Sequence, residues 1–300
     1  MTAGARLAPA SRSAIRRRFR GASAGYLLVA PAVLATVVFL LVPMVVSLYW
    51  SFTEFNGIRP PVFVGLDNYR DLLGSRLFTR AFQNTTFFVV FGMAIGPALG
   101  LGSAVLLDAS IRFRALFRSA FFLPTMTSLV VVATIWKLLY GSSGLVNTFI
   151  GFFGLPGRDW LSDPTTALPA VVVTSIWQGF GFETVVFLAA LQGIPREYYE
   201  AATVDGAGRW AKFRYVTLPG LRPTILFVYV IGIIGSFQVF DQIFVMTFGG
   251  PLQATRTIVY DLYDRFFKLD LGGASAVAYI LLVFLAILSF IQLRLGESRD

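Results

Sequence analysis

The sequence predicts an all-α, polytopic membrane protein with six transmembrane helices. Of its 300 residues, 56% are hydrophobic and only 14% are charged, and the mean hydropathy is +0.71. About a quarter of the residues of a soluble domain are charged, so this composition argues against a water-soluble fold. The hydrophobic residues also fall in six runs, each close to or longer than the ~20 residues that span ~30 Å of hydrocarbon as a helix. These runs cover residues 26–50, 87–107, 121–140, 167–191, 224–246 and 274–293.

Helices rather than strands are expected in all six runs. The interior of a bilayer offers backbone N–H and C=O groups no partner, so a spanning segment must be a helix or part of a closed barrel. Barrel strands alternate polar and apolar residues, whereas these runs are continuous. The first run follows four arginines within residues 16–20, as in a signal peptide, but it is too long for the apolar part of one. We expect it to be retained as the first helix.

Lysine and arginine are distributed unevenly between the two sets of loops. If the N-terminus is cytoplasmic, 16 of the 25 basic residues lie in cytoplasmic segments and nine lie outside. An excess of basic residues on the cytoplasmic side orients membrane proteins, so we expect both termini in the cytoplasm. The expected layout is a basic N-terminus (1–25), a first helix with its outer loop (26–81), a five-helix core (82–294) that carries an inner connector at 195–223, and a short tail (295–300).

Two residue types are absent, and this removes most enzyme chemistry. The chain contains no cysteine and no histidine, which excludes thiolate nucleophiles, imidazole bases and Cys/His zinc sites. None of the lysines, Lys137, Lys212 and Lys268, follows a glycine, so there is no Walker A loop to hold the phosphates of ATP. We therefore predict no catalytic residue, no metal site and no cofactor, and we expect ATP hydrolysis to reside in separate subunits.

Small residues mark faces where helices are expected to pack closely. The second run contains Gly92, Gly96 and Gly100 at four-residue spacing, and Gly272 and Gly273 precede the last run. Residues of this size let two helix backbones approach each other in a membrane. The alternative is the ordinary enrichment of glycine in membrane helices.

The inner connector has the pattern of a two-helix elbow. Pro195 suits the first turn of a helix, and the acidic Glu197 and Glu200 favour its positive end. Gly206 and Gly208 can end the helix in the left-handed conformation. A second helix is predicted from 209 to about 216, ending before Leu218-Pro219, which gives limbs of ~15 Å and ~12 Å. Without further information, such an elbow is a solvated amphipathic connector.

The residues of this connector resemble the EAA loop of binding-protein-dependent ABC importer permeases. The matching positions are Glu200, Ala201, Ala202, Asp205, Gly206, Ala207, Leu218, Pro219 and Pro223. The resemblance implies a type I ABC importer transmembrane fold and a coupling helix that docks in a cleft of an ATPase subunit. It assigns ATPase coupling to Glu200, Ala201, Ala202, Asp205, Gly206 and Ala207; the small alanines would allow close approach, and the two acids would be polar anchors.

Three further stretches are similar to the carbohydrate-uptake permeases of the maltose and glycerol-phosphate type. They are Ser236-Phe237-Gln238 with Phe240-Asp241, Met246-Thr247 with Gly249-Gly250-Pro251, and Gly272 with Ala274-Ser275-Ala276. Phe248 departs from the pattern, since glycine is common there. This resemblance implies a bacterial inner membrane location, a second homologous permease, two ATP-binding subunits, an extracytoplasmic solute-binding protein and a sugar-like solute.

Polar residues inside the runs indicate where a solute could pass. An ionisable side chain is costly in a bilayer and by default marks a pathway, which singles out Glu183 and Asp241; either could instead pair with a partner subunit. At ~1.5 Å per residue, Gln178 and Ser236 lie near the midplane and Asp241 about 9 Å further outward. The full set of candidate solute-binding residues is Trp177, Gln178, Glu183, Ser236, Phe237, Gln238 and Asp241.

Within the fifth run, the expected geometry is that of one straight helix. Gln238, Asp241 and Gln242 would share a face at i, i+3 and i+4, and Ser236 would point away unless Gly232 and Gly235 permit a bend. Aromatic residues of membrane helices usually face lipid or pack in the protein. Trp177 and Phe237 are retained as candidates because they flank the polar residues.

Two other functional classes compete with the permease subunit. A stand-alone secondary transporter could use Glu183 or Asp241 as a proton or cation site, but it would not need the elbow. A membrane enzyme would need a nucleophile with a base, or a metal site, and the sequence suggests neither. Within the permease interpretation, disaccharides, oligosaccharides, amino sugars and glycerol phosphates all stay open as solutes.

Overall fold

The computed structural model describes residues 26–109 and 113–297, and this part of the chain is almost entirely helical. The all-α prediction is confirmed; a two-stranded antiparallel hairpin, Thr53–Glu54 (β1) with Val62–Phe63 (β2), is the exception among the described residues. The described residues fall into two compact units, one ending at Trp50 and the other beginning at Ser51.

The helices are, in chain order, α1 (Tyr26–Ser51), α2 (Asp67–Gly74), α3 (Arg76–Asp108), α4 (Arg114–Met126), α5 (Leu129–Leu139), α6 (Leu145–Gly151), α7 (Ala167–Gln192), α8 (Arg196–Val204), α9 (Arg209–Lys212), α10 (Leu218–Gly220), α11 (Arg222–Phe237), α12 (Asp241–Met246), α13 (Ile258–Phe267) and α14 (Leu271–Glu297). Helices α3 and α14 extend beyond their apolar runs, which cover residues 87–107 and 274–293.

Five stretches are long and apolar enough to cross a membrane, and a bent pair supplies a sixth if it counts as one span. That pair is α4 and α5, whose axes differ by 100°. The prediction of one continuous helix over 121–140 is therefore wrong. Pro124 lies in the last turn of α4, and Thr127 and Ser128 between the helices have extended backbone. Pro124 has no N–H to donate to the carbonyl four residues earlier, which weakens the last turn of α4 just before the bend.

Contacts at the two ends of the bent pair show that it connects opposite sides of the bundle. Arg114, at the start of α4, lines a cavity with Glu200 and Lys212 of the elbow that follows α7. Lys137, at the end of α5, lines a different cavity with Thr247, which follows α12. Since α11 and α12 together make one crossing from the elbow, these two cavities lie on opposite sides. The count of six crossings follows, and we call the side opposite the elbow the far side.

Helices α3 and α7 form the most extensive helix–helix contact of the described chain. A Cβ at Gly100 would lie 2.6 Å from the Cβ of Glu183, and one at Gly96 would lie 3.2 Å from its carboxylate. Gly272 likewise approaches the carbonyl of Thr53. The predicted helix–helix seam is confirmed at Gly96 and Gly100, whereas Gly272 packs against strand β1. At Gly92 the prediction is wrong, since no atom lies within 4 Å of an added Cβ.

Side-chain amides and hydroxyls tie a far-side loop to α3. Asn84 donates its side-chain amide to the carbonyls of Gln253 and Arg256, at 3.0 and 2.9 Å. The hydroxyl of Thr85 accepts from the N–H of Ile258 at 3.0 Å. These bonds satisfy buried backbone groups that would otherwise be costly, so the start of α13 is held firmly against the bundle.

A chain of ion pairs crosses α13 and was not suggested by the sequence. The Arg256 guanidinium contacts Asp261 at 2.7 Å and Asp264 at 2.6 Å, and Arg265 contacts Asp261 at 2.9 Å. Arg256 and Asp261 are almost completely buried. Burial alone would raise the pKa of Asp264, but hydrogen bonds from Lys268 and Arg256 outweigh it and lower that pKa. Asp264 is therefore ionised at neutral pH and completes the chain.

Replacing Asp261 with asparagine is expected to destabilise the protein strongly. The change leaves two arginines without their shared carboxylate, and breaking a buried pair costs about 3–5 kcal/mol. Thermal unfolding in detergent measures the effect. The matched control is Asp67→Asn, which breaks the exposed pair with Arg70 and should change the midpoint little. Equal midpoints for the two variants would contradict the structural role of this chain.

Candidate functional site

The first limb of the elbow ends as the sequence predicts. Helix α8 stops at Val204, and Gly206 adopts the left-handed conformation with φ of +79°. The N–H of Ala207 donates to the carbonyl of Ala202 at 2.8 Å, and that of Gly206 to Thr203 at 3.0 Å. This pair of bonds is the Schellman motif, which glycine favours because it lacks a Cβ.

The second limb differs from the prediction in two ways. Gly208 is not left-handed: its φ is −69°, and it precedes α9 as the N-cap. The limb does not end before Leu218 but continues through a π-helical turn, Phe213–Thr217, into α10. Pro219 fits because it lies in the first turn of α10, where its missing N–H costs no hydrogen bond.

The elbow divides its predicted coupling residues between two cavities. Ala201, Ala202, Asp205 and Ala207 line a mostly apolar groove of about 880 Å³. Glu200 lines a separate polar cavity of about 660 Å³ together with Arg114, Arg196 and Lys212. No atom lies within 4 Å of an added Cβ at Gly206. The left-handed backbone conformation therefore requires the glycine, and a lack of room for a side chain does not. The alanines and the glutamate are therefore presented in different directions.

Large side chains on the elbow are exposed to an unusual degree. Val204 is 88% exposed, Tyr215 75%, Trp210 74% and Tyr198 60%. Contiguous exposed apolar surface on a protein marks an interaction site. The elbow thus has the surface of a docking element as well as the shape of a connector.

A pocket of about 250 Å³ lies where the chain breaks between α11 and α12. Residues of α11 and α12 line it together with Ser175 and Gln178 of α7, Phe88 of α3 and Leu129 at the start of α5. The full lining is Phe88, Leu129, Ser175, Gln178, Gly232, Gly235, Ser236, Gln238, Val239, Phe240, Asp241 and Gln242. We call it the helix-break pocket.

Gln238, Asp241 and Gln242 line the pocket together, and the break between α11 and α12 explains why Ser236 joins them. Helix α11 ends at Phe237, and Phe240, with φ of −139° and ψ of −56°, is not helical. Ser236 therefore does not point away from the polar residues but lines the pocket with Gln238 and Asp241. Gly232 and Gly235 line the same pocket.

Three predicted solute-binding residues do not line this pocket. Phe237 is buried in a hydrophobic cluster, with its ring 5.0 Å from that of Phe284. Trp177 lies edge-on to Trp136 at 5.5 Å. Glu183 packs against Gly96 and Gly100 of α3, and its Oε2 is buried with no hydrogen-bond partner among the described residues. Phe237 and Glu183 are therefore packed inside the protein, whereas Trp177 is 41% exposed.

A signal for the residues that were missed was present in the sequence. Ser175 lies three residues before Gln178 on α7, so the two share a face. Trp177 is about 100° and Glu183 about 140° away from Gln178 around the same helix. A helical projection from Gln178 would have found Ser175 and set the other two aside.

Comparison with known proteins identifies the family. Residues 96–299 match the family described as the inner membrane component of binding-protein-dependent transport systems. The chain belongs to this family. It is similar to the lactose transport system permease protein of Rhizobium radiobacter, with 34% identity over 98% of this chain and 100% of the relative. It is 32% identical to the trehalose/maltose transport system permease protein of Thermococcus litoralis over 94% of this chain and 96% of the relative.

A solved structure agrees with this assignment. A chain of a bacterial ABC transporter involved in the import of the acidic polysaccharide alginate is similar in fold, with a TM-score of 0.83 and 25% identity. The match covers 95% of this chain and 99% of that one. The predicted type I importer fold is confirmed. As a member of this family, the permease is a membrane-bound transporter subunit and not an enzyme, and the alternative of a stand-alone secondary transporter is not supported.

Proposed function

We propose that this permease passes a sugar or sugar-like solute from an extracytoplasmic binding protein into the cytoplasm, in a complex with a second permease and two ATP-binding subunits. The relatives support the solute class: their names include lactose, trehalose, maltose and arabinooligosaccharides. The absence of a Walker A loop from the sequence supports separate ATPase subunits. Amino sugars, glycerol phosphates and acidic sugars stay open as finer alternatives.

The helix-break pocket carries this proposal. Its polar groups come from Ser175, Gln178, Ser236, Gln238 and Asp241, and they converge where two membrane helices meet a broken third. Broken helices bring polar backbone and side-chain groups to a cavity at membrane depth. Hydroxyl and amide groups exchange hydrogen bonds with a hydroxyl-rich solute in place of water. We assign solute contact to Gln178, Ser236, Gln238 and Asp241 and add Ser175; Glu183 and Phe237 act by packing, and Trp177 does not line the pocket.

The elbow supplies the coupling to ATP hydrolysis. The groove lined by Ala201, Ala202, Asp205 and Ala207 admits a close partner surface, and the polar cavity beside Glu200 offers charged anchors. Because α8 and the segment leading to α11 are parts of one elbow, a displacement of the docked helix reaches Arg222 and the helix-break pocket through α11. Such a two-state contact is how packed elements transmit motion.

The elbow lies in the cytoplasm and the far side outside, with both termini cytoplasmic. This orientation rests on the excess of basic residues in the elbow-side loops. The chain has no cysteine, so single cysteines can report it. Val204→Cys and Leu252→Cys are matched, since the native side chains are 88% and 87% exposed. A membrane-impermeant maleimide added to intact cells is expected to label Leu252→Cys but not Val204→Cys. Labelling of Val204→Cys but not Leu252→Cys would mean that the topology is the inverse of the proposed one.

Transport itself is tested with the assembled transporter in proteoliposomes. Radiolabelled lactose, maltose, trehalose and arabinotriose are offered with the binding protein outside and ATP inside. We expect ATP-dependent accumulation of at least one of these sugars. If all four are excluded while an amino acid accumulates, the proposed solute class is wrong.

A further inference from the structure

Three phenylalanines form a row along the far-side half of the broken helix. Phe240, Phe244 and Phe248 follow one another at four-residue spacing; Phe240 precedes α12, Phe244 lies within it and Phe248 follows its end. The ring centroids of Phe240 and Phe244 are 5.4 Å apart with planes at 22°, and those of Phe244 and Phe248 are 5.0 Å apart at 61°. We call these three residues the aromatic ladder.

The ladder connects two cavities. Its inner ring, Phe240, lines the helix-break pocket. Its outer ring, Phe248, lines a far-side cavity of about 440 Å³ together with Lys137, Asp159 and Ser162. The outer ring is 57% exposed. A molecule moving from the far-side cavity to the helix-break pocket along α12 therefore passes Phe244.

The other face of α12 has a different role. Gln242, Ile243 and Met246 are buried, and α12 packs through them against α5 and α7. The ladder is not needed for this packing. On its own face, Tyr263 of α13 lies 5.0 Å from Phe240 and 5.2 Å from Phe244, which holds these two rings in place from one side.

We propose that the aromatic ladder is an entry track on which the sugar rings of the solute stack between the far-side cavity and the helix-break pocket. This rests on the proposed function, because it assumes a ring-bearing solute. A sugar ring has an apolar face of C–H groups and a rim of hydroxyls. The apolar face can stack on an aromatic ring. The hydroxyl rim can bond to the polar groups at the two ends of the ladder, which are Thr247 and Ser162 at the outer end and Gln238 and Asp241 at the inner end. Successive weak contacts bind a solute without trapping it.

Thiol accessibility tests the track without reference to the solute. In the assembled transporter in right-side-out vesicles, Phe244→Cys is treated with a charged, membrane-impermeant methanethiosulfonate, which needs a hydrated thiolate. The reference for full access is Leu252→Cys, and the reference for a helix face without water is Leu282→Cys on α14. We expect Phe244→Cys to react at a rate within about tenfold of that of Leu252→Cys and far above that of Leu282→Cys. A rate equal to that of Leu282→Cys would mean that the ladder packs against lipid or the partner permease, and would overturn the proposal.

Uptake of the panel sugar with the highest rate, with lactose tried first, tests the stacking. Phe244→Leu should raise the KM for uptake about tenfold with little change in kcat, because only a solute contact is lost, and Phe244→Trp should restore it. An equal KM for all three would overturn stacking. If no sugar of the panel is transported, the proposed solute class fails, while the thiol result still shows whether the ladder lines a water-filled path.

Discussion

Replacing Gly206 with valine is expected to abolish ATP-dependent uptake while leaving the permease inserted in the membrane. Gly206 holds φ at +79°, a conformation that costs a β-branched residue about 1–2 kcal/mol. The Schellman bonds of Ala207 and Gly206 depend on that conformation. If they are lost, α8 points in a new direction and no longer presents Ala201 and Ala202 to the ATPase. Uptake into vesicles and co-purification of the ATPase subunits measure the two effects.

The chain supplies a matched control two residues away. Gly208 has φ of −69° and ψ of 174°, which any residue adopts, and no atom lies within 4 Å of an added Cβ. Gly208→Val should therefore transport nearly as well as the wild type. Gly206→Asn should fall between the two, because asparagine tolerates the left-handed region. Equal uptake by Gly206→Val and Gly208→Val would show that the left-handed turn is not part of the coupling.

Replacing Gly235 with leucine is expected to block transport by filling the helix-break pocket. Gly235 lies inside α11, lines the pocket and has no atom within 4 Å of an added Cβ. The Cβ of a leucine there meets no atom, and leucine is favoured in a helix, so the variant should fold and assemble. Its side chain would occupy a large part of a cavity of about 250 Å³. Solute uptake should fall to background while ATP hydrolysis persists.

Gly102→Leu is the control for this variant. Gly102 also lies inside a membrane helix, α3, with no atom within 4 Å of an added Cβ, but it does not line the helix-break pocket. We expect normal uptake. If Gly235→Leu transports as fast as Gly102→Leu, the solute passes elsewhere and the assignment of Gln178, Ser236, Gln238 and Asp241 is wrong.

The sequence predicted the features that depend on local chemistry. The left-handed turn at Gly206 follows from the alternatives open to a glycine after a short helix. The α3–α7 seam follows from the small size of Gly96 and Gly100. The number of crossings follows from the length of the apolar runs alone. In each case one residue type, or one stretch of chain, contains the whole physical reason.

Features that depend on distant contacts were not predictable in this way. Apolarity does not reveal a break inside a run, so the bend after Pro124 and the break after Phe237 were both missed. The break decides which residues meet: it brings Ser236 to Asp241 and sends Phe237 into the core. The Arg256–Asp261–Arg265 chain is local, and Asp261 and Arg265 lie four residues apart on α13. The part that depends on the fold is the burial of Arg256 and Asp261.

The energy source for uptake tests the central claim most directly. Proteoliposomes are made with this permease alone, and with this permease, its partner permease, the ATP-binding subunits and the binding protein together. The account predicts that the complete set accumulates labelled sugar only with ATP inside, that omission of any component abolishes uptake, and that the permease alone neither hydrolyses ATP nor transports. Accumulation of sugar by the permease alone, driven by a proton or sodium gradient without ATP, would contradict it.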